Sequence, residues 1–517
     1  MSAKPSVKIR TRFHQAKWDE ELIFELHRPG ERGLAVEPVE PGIAAAVGDG
    51  LSALPEVLVR KTPPALPEVG QMRVLKHFLR LSQENLGADL NVDIGQGTCT
   101  MKYSPKINDA LAADPHLAKL HPLQDPATVQ GALQILHSLD LYLREISGMD
   151  QFSLQPASGS AAILNMVSII QACHKDRGEA HRDEMITTIF SHPSDAAAAA
   201  VKGYKVITLH QAPDGLPRLE DLQKVIGPRT AGLLITNPED TGIFNPRIQD
   251  FVRAVHAAGG LCGYDQANLN GIMGITRAAD AGFDLCFFNL HKTFSTPHGC
   301  GGPAGGALGV TRALAEFLPV PVVQRDGDRY LLDYDLPKSI GKTRAFYGTA
   351  QVALKAYAWI RALGPDGLRK VSEVAVLNNN YLLEHVKRIR GASAPYAPGH
   401  RRIEQVRYSW EQMHKDTGVT FEDVALRMAD YGMHMWSSHH PFIVPEPFTL
   451  EPTESYSRAE LDEYLAVLEQ ISHEAYNAPE LVKTAPHRSV CRRIDPAPFD
   501  DPERWAMSWR MWRRKTR

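Results

Sequence analysis

The chain is 517 residues long, a length that predicts two or three domains. Its 57 lysines and arginines nearly balance its 60 aspartates and glutamates, so the net charge gives no reason to expect a nucleic acid partner. A content of 43% hydrophobic and 23% charged residues excludes a long disordered chain, and six cysteines without a CxxC pair exclude a disulfide framework. No apolar run reaches the roughly 20 residues of a membrane helix, and the basic start lacks the apolar core of a secretory signal, so we expect a cytoplasmic enzyme without a membrane partner.

Three domains are predicted in chain order. Residues 1–125 begin rich in proline, glycine and charge, and we expect an N-terminal arm with connecting helices. Residues 126–390 are expected to form a large domain, and residues 391–517 a smaller C-terminal α/β domain with a tail. In that tail Trp505, Trp509 and Trp512 would share one face of a short basic helix. Packing on the body or on a neighbouring subunit is favoured there over membrane contact.

The large domain begins with a helical stripe over residues 131–144 and continues with apolar, β-rich runs separated by helix-compatible stretches. The runs cover residues 185–190, 205–209, 231–236, 260–265 and 284–289. Such strands interleaved with helices predict a mostly parallel sheet that is buried on both faces. Because such sheets bind ligands at the carboxyl ends of their strands, we expect the chemistry directly after each run. A second helical region follows at 350–390, and residues 453–460 carry helix start signals.

The strongest chemical signal is Lys292, which ends an apolar strand in the segment Asn-Leu-His-Lys-Thr-Phe. A lysine at such a place is partly removed from water and can present the neutral amine that a Schiff base requires. The small residues that follow, among them Gly299 and Gly301, leave room for a flat ring or a phosphate. Taken alone, a lysine at a strand end is more often an ordinary surface residue.

A second signal is Asp265, which ends the strand one strand-helix-strand unit before Lys292. An aspartate there can pair with the pyridine nitrogen of pyridoxal phosphate and keep it protonated, which turns the ring into an electron sink. Ala267 is small enough for the ring to lie against it. If Lys292 were absent, a helix N-cap would be the favoured interpretation of Asp265.

Three further segments supply candidate cofactor contacts. Ser158, Gly159 and Ser160 open a predicted helix, whose free N–H groups and positive dipole end suit a phosphate, although an ordinary capped helix explains them as well. His192 follows a strand and can stack on a ring, although a lone histidine is more often structural. Asn237 ends another strand and can donate to the phenolic oxygen of the cofactor, with a plain turn before a proline as an equal alternative.

Together these residues predict a site for pyridoxal 5'-phosphate. A nicotinamide site is disfavoured, because the glycine pattern after the lysine contains Pro303 and does not open a helix. The G-x-S-x-G turn of a serine hydrolase is missing from the sequence. His434, His439 and His440 lack a regular ligand spacing, so no metal is predicted.

At these residues the sequence resembles the glycine dehydrogenase (decarboxylating) P-protein of the glycine cleavage system, and specifically its C-terminal half, called subunit 2 where the protein is split. The matching segments are 289–294 with 297–299, 265–270, 98–103, 338–341 and 451–455. The resemblance extends from about residue 22 to residue 495. It implies the aspartate aminotransferase-like fold of pyridoxal phosphate fold type I, an α/β fold with a large, mostly parallel sheet domain and a smaller C-terminal α/β domain.

The resemblance also implies roles and partners. Lys292 would hold the cofactor as an aldimine and Asp265 would pair with the pyridinium. Ala267 and His192 would flank the ring, and the segment 158–160 would hold the phosphate. In the family, glycine loses its carboxylate and the aminomethyl group passes to the lipoyl arm of a carrier protein. The expected partners are an amino acid substrate, a lipoyl carrier protein, and either a second copy in a homodimer or a subunit 1-like chain in a heterotetramer.

Several motifs depart from the family pattern near these anchors. The chain has QPASGSAAI for QPAAGAHGE at 155–163, SHPSDAA for AHGTNPA at 191–197, TNPEDTG for TNPNTLG at 236–242, and Cys300 for a glycine. Three hypotheses therefore stand. The first is glycine decarboxylation by a P-protein-like subunit, and the second is a diverged decarboxylase, aminotransferase or lyase for another amino acid. The third is a non-catalytic scaffold, against which the intact Lys292 and Asp265 argue.

Overall fold

The computed structural model describes residues 7–13, 15–34, 36–48, 50–62, 64–86, 90–92, 94–95, 99, 102–121, 124–298, 302–436, 443–490, 492–495 and 508–515. The strands are β1 (Gln151–Ser153), β2 (Glu184–Thr188), β3 (Lys205–Leu209), β4 (Thr230–Thr236), β5 (Leu261–Gln266), β6 (Leu285–Asn289), β7 (Gly306–Val310), β8 (Val322–Asp326), β9 (Arg329–Asp333), β10 (Val406–Ser409) and β11 (Pro447–Leu450). The α-helices are α1 (Pro41–Val47), α2 (Gln71–Gln83), α3 (Lys106–Ala113), α4 (Pro115–Ala118), α5 (Gln130–Ser147), α6 (Gly159–Asp176), α7 (Pro193–Val201), α8 (Leu219–Val225), α9 (Ile248–Ala257), α10 (Ala350–Val386), α11 (Glu411–Thr417), α12 (Phe421–Ala429), α13 (Arg458–Asn477), α14 (Pro479–Lys483) and α15 (Trp509–Lys515).

The chain divides into two compact units. The first comprises Met1–Thr11 and Ala88–Ala485 and carries all of these strands together with helices α3 to α14. The second comprises Arg12–Gly87 and Pro486–Arg517 and carries α1, α2 and α15. The domain boundaries predicted at residues 125 and 390 both fall inside the first unit and stay predictions.

A seven-stranded sheet in the order β1-β7-β6-β5-β4-β2-β3 forms the centre of the first unit. Strands β2 to β6 run parallel, and β7 runs antiparallel to both of its neighbours. The five predicted runs coincide with the parallel strands, although the run predicted at 185–190 extends two residues beyond β2. Because neighbouring parallel strands end at the same edge, the carboxyl ends of β4, β5 and β6 lie side by side.

Helices cover both faces of this sheet, as the apolar strands predicted. Side chains of β6 alternate between two cores: Leu285 and Phe287 pack with α6, whereas Cys286 and Phe288 pack with α5, α9 and the first part of α10. The period of two along a strand produces this alternation, and burial of both faces explains why the strand is apolar throughout. The sheet is therefore a rigid platform for groups placed at its carboxyl edge.

A smaller core follows at the C-terminal end of the first unit. It is built around the antiparallel pair β10 and β11, with Tyr408 and Phe448 opposite each other and fully buried. Helix α10 contributes to both cores. It bends at Gly364, whose φ of 65° is non-helical and which precedes Pro365. Helix α13 starts at a capping box formed by Ser457 and Glu460, within the predicted start signal.

The second unit contains the aromatic tail. The rings of Trp509 and Trp512 lie 5.9 and 6.2 Å from the ring of Phe24, while Trp505 lies outside the described residues. Across the part of the chain that the structure describes, no helix is both long enough and apolar enough to cross a bilayer.

Candidate active site

The site lies at the carboxyl ends of β4, β5 and β6. Thr236 at the end of β4 pairs in register with Asp265 of β5, and Lys292 follows three residues after the end of β6. The turn that carries the lysine is held in place, because the Lys292 N–H donates to Asn289 O at 3.1 Å and the Thr293 hydroxyl accepts the Leu269 N–H at 2.9 Å. The sheet thus presents an amine and a carboxylate from two adjacent strands.

One pocket collects four of the predicted site residues, His192, Asp265, Ala267 and Lys292. Its remaining lining residues are Thr236, Pro238, Asp240, Asn268, Glu404 and Gln405. A larger cavity of about 800 Å³ lies along α6 and contains none of the predicted residues. Size is therefore a poor guide here, and the chemistry of the lining residues identifies the smaller pocket as the site.

The carboxyl of Asp265 is buried, with 4% of the residue exposed. Burial raises the pKa of Asp265 to about 6, while the Ala267 N–H, which donates at 2.9 Å, and the charge of Lys292 act in the opposite direction. Asp195 is also buried, and both burial and the neighbouring Asp265 raise the pKa of its carboxyl. At neutral pH Asp265 is therefore mainly a carboxylate in an environment that penalises its charge, which suits a group awaiting a cation.

His192 caps the N-terminus of α7. Its Nδ1 accepts the Ser194 N–H at 3.1 Å, so the neutral ring carries its proton on Nε2. The imidazole is half-buried in the pocket wall. The structure thus fixes the orientation of this ring on the side of the pocket formed by α7.

The segment predicted to hold a phosphate forms the N-terminus of α6. Ser158 is the N-cap, and its hydroxyl accepts the Ala161 N–H at 3.2 Å. Gly159 lies against the end of β6, where a Cβ atom would come within 2.7 Å of Asn289 Oδ1. The N-terminus of this 18-residue helix and the exposed Ser160 therefore lie near the strand end that carries Lys292, where a helix terminus attracts an anion.

Asn237 makes contacts within its own loop. Its Oδ1 accepts the Asn245 N–H at 2.7 Å, and its Nδ2 donates to Asn245 O at 3.2 Å. Its backbone carbonyl accepts the Tyr264 hydroxyl at 2.6 Å. The side chain thus stabilises the loop after β4, and its predicted contact with a cofactor stays a prediction.

The acidic side chains of the changed motif after β4 form contacts with other residues of the chain. Glu239 accepts hydrogen bonds from Thr188 and Gln211, and Asp240 forms a buried ion pair with Arg407 of β10. The Arg407 guanidinium also lies 5.1 Å from the centre of the Phe190 ring. The two acidic residues of this motif are therefore tied to partners that lie far away in the sequence.

The donor set of the pocket fits the predicted cofactor. Thr236 Oγ1 and Glu404 Oε2 are buried and lack a hydrogen-bond partner among the described residues, whereas buried polar atoms in native proteins are nearly always bonded. Beside them lie an amine, a carboxylate and a helix N-terminus. These are the groups that would bind the carbonyl, the ring nitrogen and the phosphate of pyridoxal phosphate.

Sequence reasoning missed Asp195, Thr236, Asp240, Glu404 and Gln405. Asp195 and Thr236 lay within segments already singled out, but nothing in their local pattern marked either side chain as part of the site. Glu404 and Gln405 carried no local signal at all. Gly299, Cys300 and Gly301, predicted to leave room for the ring, lie outside the described residues, as do His439 and His440.

Comparison with known proteins agrees with this geometry. The family model described as aminotransferase class-V matches residues 157–321, which include the central strands and Lys292. The chain also superposes on a crystal structure titled glycine decarboxylase (P-protein) of the glycine cleavage system, with a TM-score of 0.71 and 20% identity over 85% of this chain and 100% of that one. A NifS-like protein aligns with a TM-score of 0.56. The fold is therefore fold type I of the pyridoxal phosphate-dependent enzymes, which confirms the predicted fold class.

The sequence matches define the family more closely. A model described as glycine dehydrogenase, C-terminal domain, matches residues 371–491. A relative from Pyrococcus abyssi is 48% identical over 486 residues, 93% of this chain and 95% of its own length. One from Thermococcus kodakarensis is 47% identical over 504 residues, 97% and 98% of the two chains. Both are named probable glycine dehydrogenase (decarboxylating) subunit 2. The chain belongs to this family, as the resemblance predicted.

Proposed function

We propose that this chain binds pyridoxal 5'-phosphate and catalyses the decarboxylation of glycine as the second subunit of a glycine dehydrogenase. The observation that carries the proposal is the pocket shared by Lys292 and Asp265 in a chain that is nearly half identical to proteins of that name. Lys292, Asp265, Ala267 and His192 line one pocket despite the changed motifs.

We assign each predicted residue a part in holding the cofactor. Lys292 would bind it covalently and Asp265 would pair with its ring nitrogen, while Ala267 and His192 would flank the ring. The phosphate would bind at Ser158, Gly159 and Ser160, and Asn237 would bind the phenolic oxygen. When bound, the cofactor supplies an electron sink for the pair of electrons that is left when carbon dioxide departs.

The side chains of the chain supply position and protons. The Asp265 carboxylate would keep a proton on the ring nitrogen, because a buried carboxylate stabilises a neighbouring cation strongly. Lys292 Nζ would exchange protons with the amino group of the incoming amino acid. Asp265, Lys292, Glu404 and Gln405 are buried in the pocket wall, which would limit the water that can reach and protonate the reacting carbon.

The partners follow from the family. The name subunit 2 implies a partner subunit 1 in the relatives. We propose a heterotetramer with a subunit 1-like chain, with a homodimer as the alternative, and a lipoyl carrier protein as the acceptor of the aminomethyl group. We also propose the cytoplasm as the compartment, because the described cysteines are free thiols, three of them buried, as in a reducing environment.

Absorbance spectra and an exchange assay test the proposal. The purified protein with pyridoxal phosphate should absorb in the visible as a lysine adduct, and Lys292→Ala should abolish that band while Lys224→Ala, at an exposed lysine of α8, keeps it. With subunit 1 and lipoyl carrier supplied, the protein should exchange labelled bicarbonate into the carboxyl group of glycine. A lysine adduct without any exchange would refute glycine as the substrate, and absence of the adduct would refute the cofactor.

A further inference from the structure

The pocket contains a second buried acid besides Asp265. Glu404 is 1% exposed and lines the same pocket as Lys292. Among the residues that the structure describes, its Oε2 has no hydrogen-bond partner and its carboxyl takes part in no ion pair. A carboxylate in such a place would be an uncompensated buried charge, so the neutral acid is the favoured form.

The segment that carries this carboxyl is held by hydrogen bonds on both sides. The backbone on its N-terminal side is held by Ile403, whose N–H donates to Gly242 O at 2.9 Å and whose carbonyl accepts from Asn379 at 2.8 Å. On its C-terminal side, the side-chain amide of Gln405 donates through Nε2 to the backbone carbonyl of Glu239 at 3.1 Å. Gly271 lies directly against the carboxyl, since a Cβ atom there would come within 2.4 Å of Oε2. The Glu404 side chain therefore has little room to turn toward a hydrogen-bond partner.

The groups around Glu404 do not neutralise it. Arg407, on the same strand segment, pairs with Asp240, and the Arg402 guanidinium donates to backbone carbonyls. Tyr264 of strand β5, whose hydroxyl is close enough for Glu404 to raise its pKa, donates that hydroxyl to Asn237 O. The charged and titratable residues that share the pocket are His192, Asp240, Asp265 and Lys292. Burial raises the pKa of Glu404 to about 8, opposed only by its own backbone N–H.

The proposed reaction consumes a proton. When the bond between the α-carbon and the carboxylate breaks, its electron pair forms a bond from that carbon to one sulfur of the carrier's cyclic disulfide. The sulfur–sulfur bond breaks, and its electron pair leaves on the second sulfur, which must gain one proton to become a thiol. A buried acid in the same pocket as Lys292 is placed to deliver that proton.

We propose that Glu404 is a further catalytic residue, the neutral carboxylic acid that gives its proton to the departing sulfur and regains one from water between turnovers. The proposal rests on the proposed function, because the cyclic disulfide belongs to the lipoyl carrier. It assigns to the segment before β10 a direct part in the chemistry, beyond the binding of the cofactor.

Glu404→Gln tests the role, because the amide keeps the size of the side chain and its ability to donate a hydrogen bond but has no acidic proton. The matched control is Glu463→Gln, which changes a buried glutamate of α13 that does not line the pocket. In the holoenzyme with subunit 1 and carrier, E404Q should release carbon dioxide from glycine roughly 10²- to 10⁴-fold more slowly, the usual contribution of a general acid. The visible band of the cofactor and the affinity for glycine should stay within twofold. A rate within threefold of wild type would overturn the proposal.

Two measurements on the wild type keep the test decisive if the variant fails to fold. Infrared difference spectra should show the carbonyl band of a protonated carboxylic acid at neutral pH, which disappears as the pH rises through about 8. Turnover should fall over the same range. Absence of the band, or a rate that stays level through that range, would refute the role of Glu404. A protein that shows the band but releases no carbon dioxide from glycine would refute the proposed function and the proton transfer together, while the neutral acid itself would stand.

Discussion

Replacing Asp265 by asparagine should stabilise the cofactor-free protein. Burial raises the pKa of this carboxyl from 3.8 to about 6, so between those pH values the folded state binds more protons than the unfolded state, and stability falls as the pH rises. At 1.36 kcal/mol for each pKa unit, the charged carboxylate costs about 3 kcal/mol at pH values above 6. Asparagine removes this cost while its Oδ1 can still accept the Ala267 N–H.

The assay is urea unfolding of the cofactor-free protein at pH 8 and at pH 4, with Asp19→Asn as an exposed-carboxylate control. At pH 8 the Asp265→Asn protein should need more urea to unfold than the wild type, by the equivalent of 1 to 3 kcal/mol, a range taken as an order of magnitude from the same shift. At pH 4 the difference should shrink to about 0.6 kcal/mol, because the wild-type carboxyl is then protonated in the folded state and partly protonated in the unfolded state.

Addition of pyridoxal phosphate should make the wild type more stable than the Asp265→Asn protein. The wild type gains an ion pair between its carboxylate and the ring nitrogen, so ligand binding stabilises it more than the variant. A variant that is less stable than the wild type at pH 8 without cofactor, or whose advantage does not shrink on acidification, would refute the electrostatic description of this site.

Two other substitutions probe the phosphate end and the changed motif. Gly159→Ala should displace the N-terminus of α6, because its Cβ atom would meet Asn289 Oδ1 at 2.7 Å. The displaced helix terminus should weaken cofactor binding at least tenfold, a loss of about 1.4 kcal/mol of binding free energy. Gly131→Ala, whose Cβ meets no atom within 4 Å, should leave cofactor affinity unchanged in the same fluorescence titration, and equal affinity in both variants would contradict the steric explanation. Asp240→Asn should cost roughly 3 to 5 kcal/mol of unfolding free energy by leaving the Arg407 guanidinium buried and unpaired. Adding Arg407→Gln should recover part of that loss in urea unfolding, and a double variant as unstable as the sum of the two single variants would show that the pair is not coupled.

The parallel strands were predictable because their signal is local. Each is a short apolar run flanked by helix-compatible sequence, and burial on both faces demands that pattern. Strands β1 and β7 escaped prediction for physical reasons. The first has only three residues. The second contains Gly306 and Gly309, which weaken the strand pattern, and Gly309 is required because a Cβ atom there would come within 2.4 Å of the Phe152 ring.

The candidate site likewise has a part that local sequence predicted and a part that it did not. Lys292 and Asp265 were identified from sequence alone, because each follows or ends an apolar run and the topology of parallel sheets places such ends together. The same residues predicted the cofactor, and family resemblance added the substrate class and the partners. None of this reasoning depends on contacts between distant segments, so one sequence was enough for it.

Tertiary structure decided the remainder of the pocket. The pairing of Asp240 with Arg407 joins a loop of the large sheet to a strand of the smaller core, and no periodicity in either segment announces it. In the sequence Glu404 is indistinguishable from an ordinary charged residue before a strand. Its carboxyl is removed from water only when the chain folds. Sequence alone determined which groups stand at the strand ends, whereas charge and protonation inside the pocket depend on burial, which exists only once distant segments pack together.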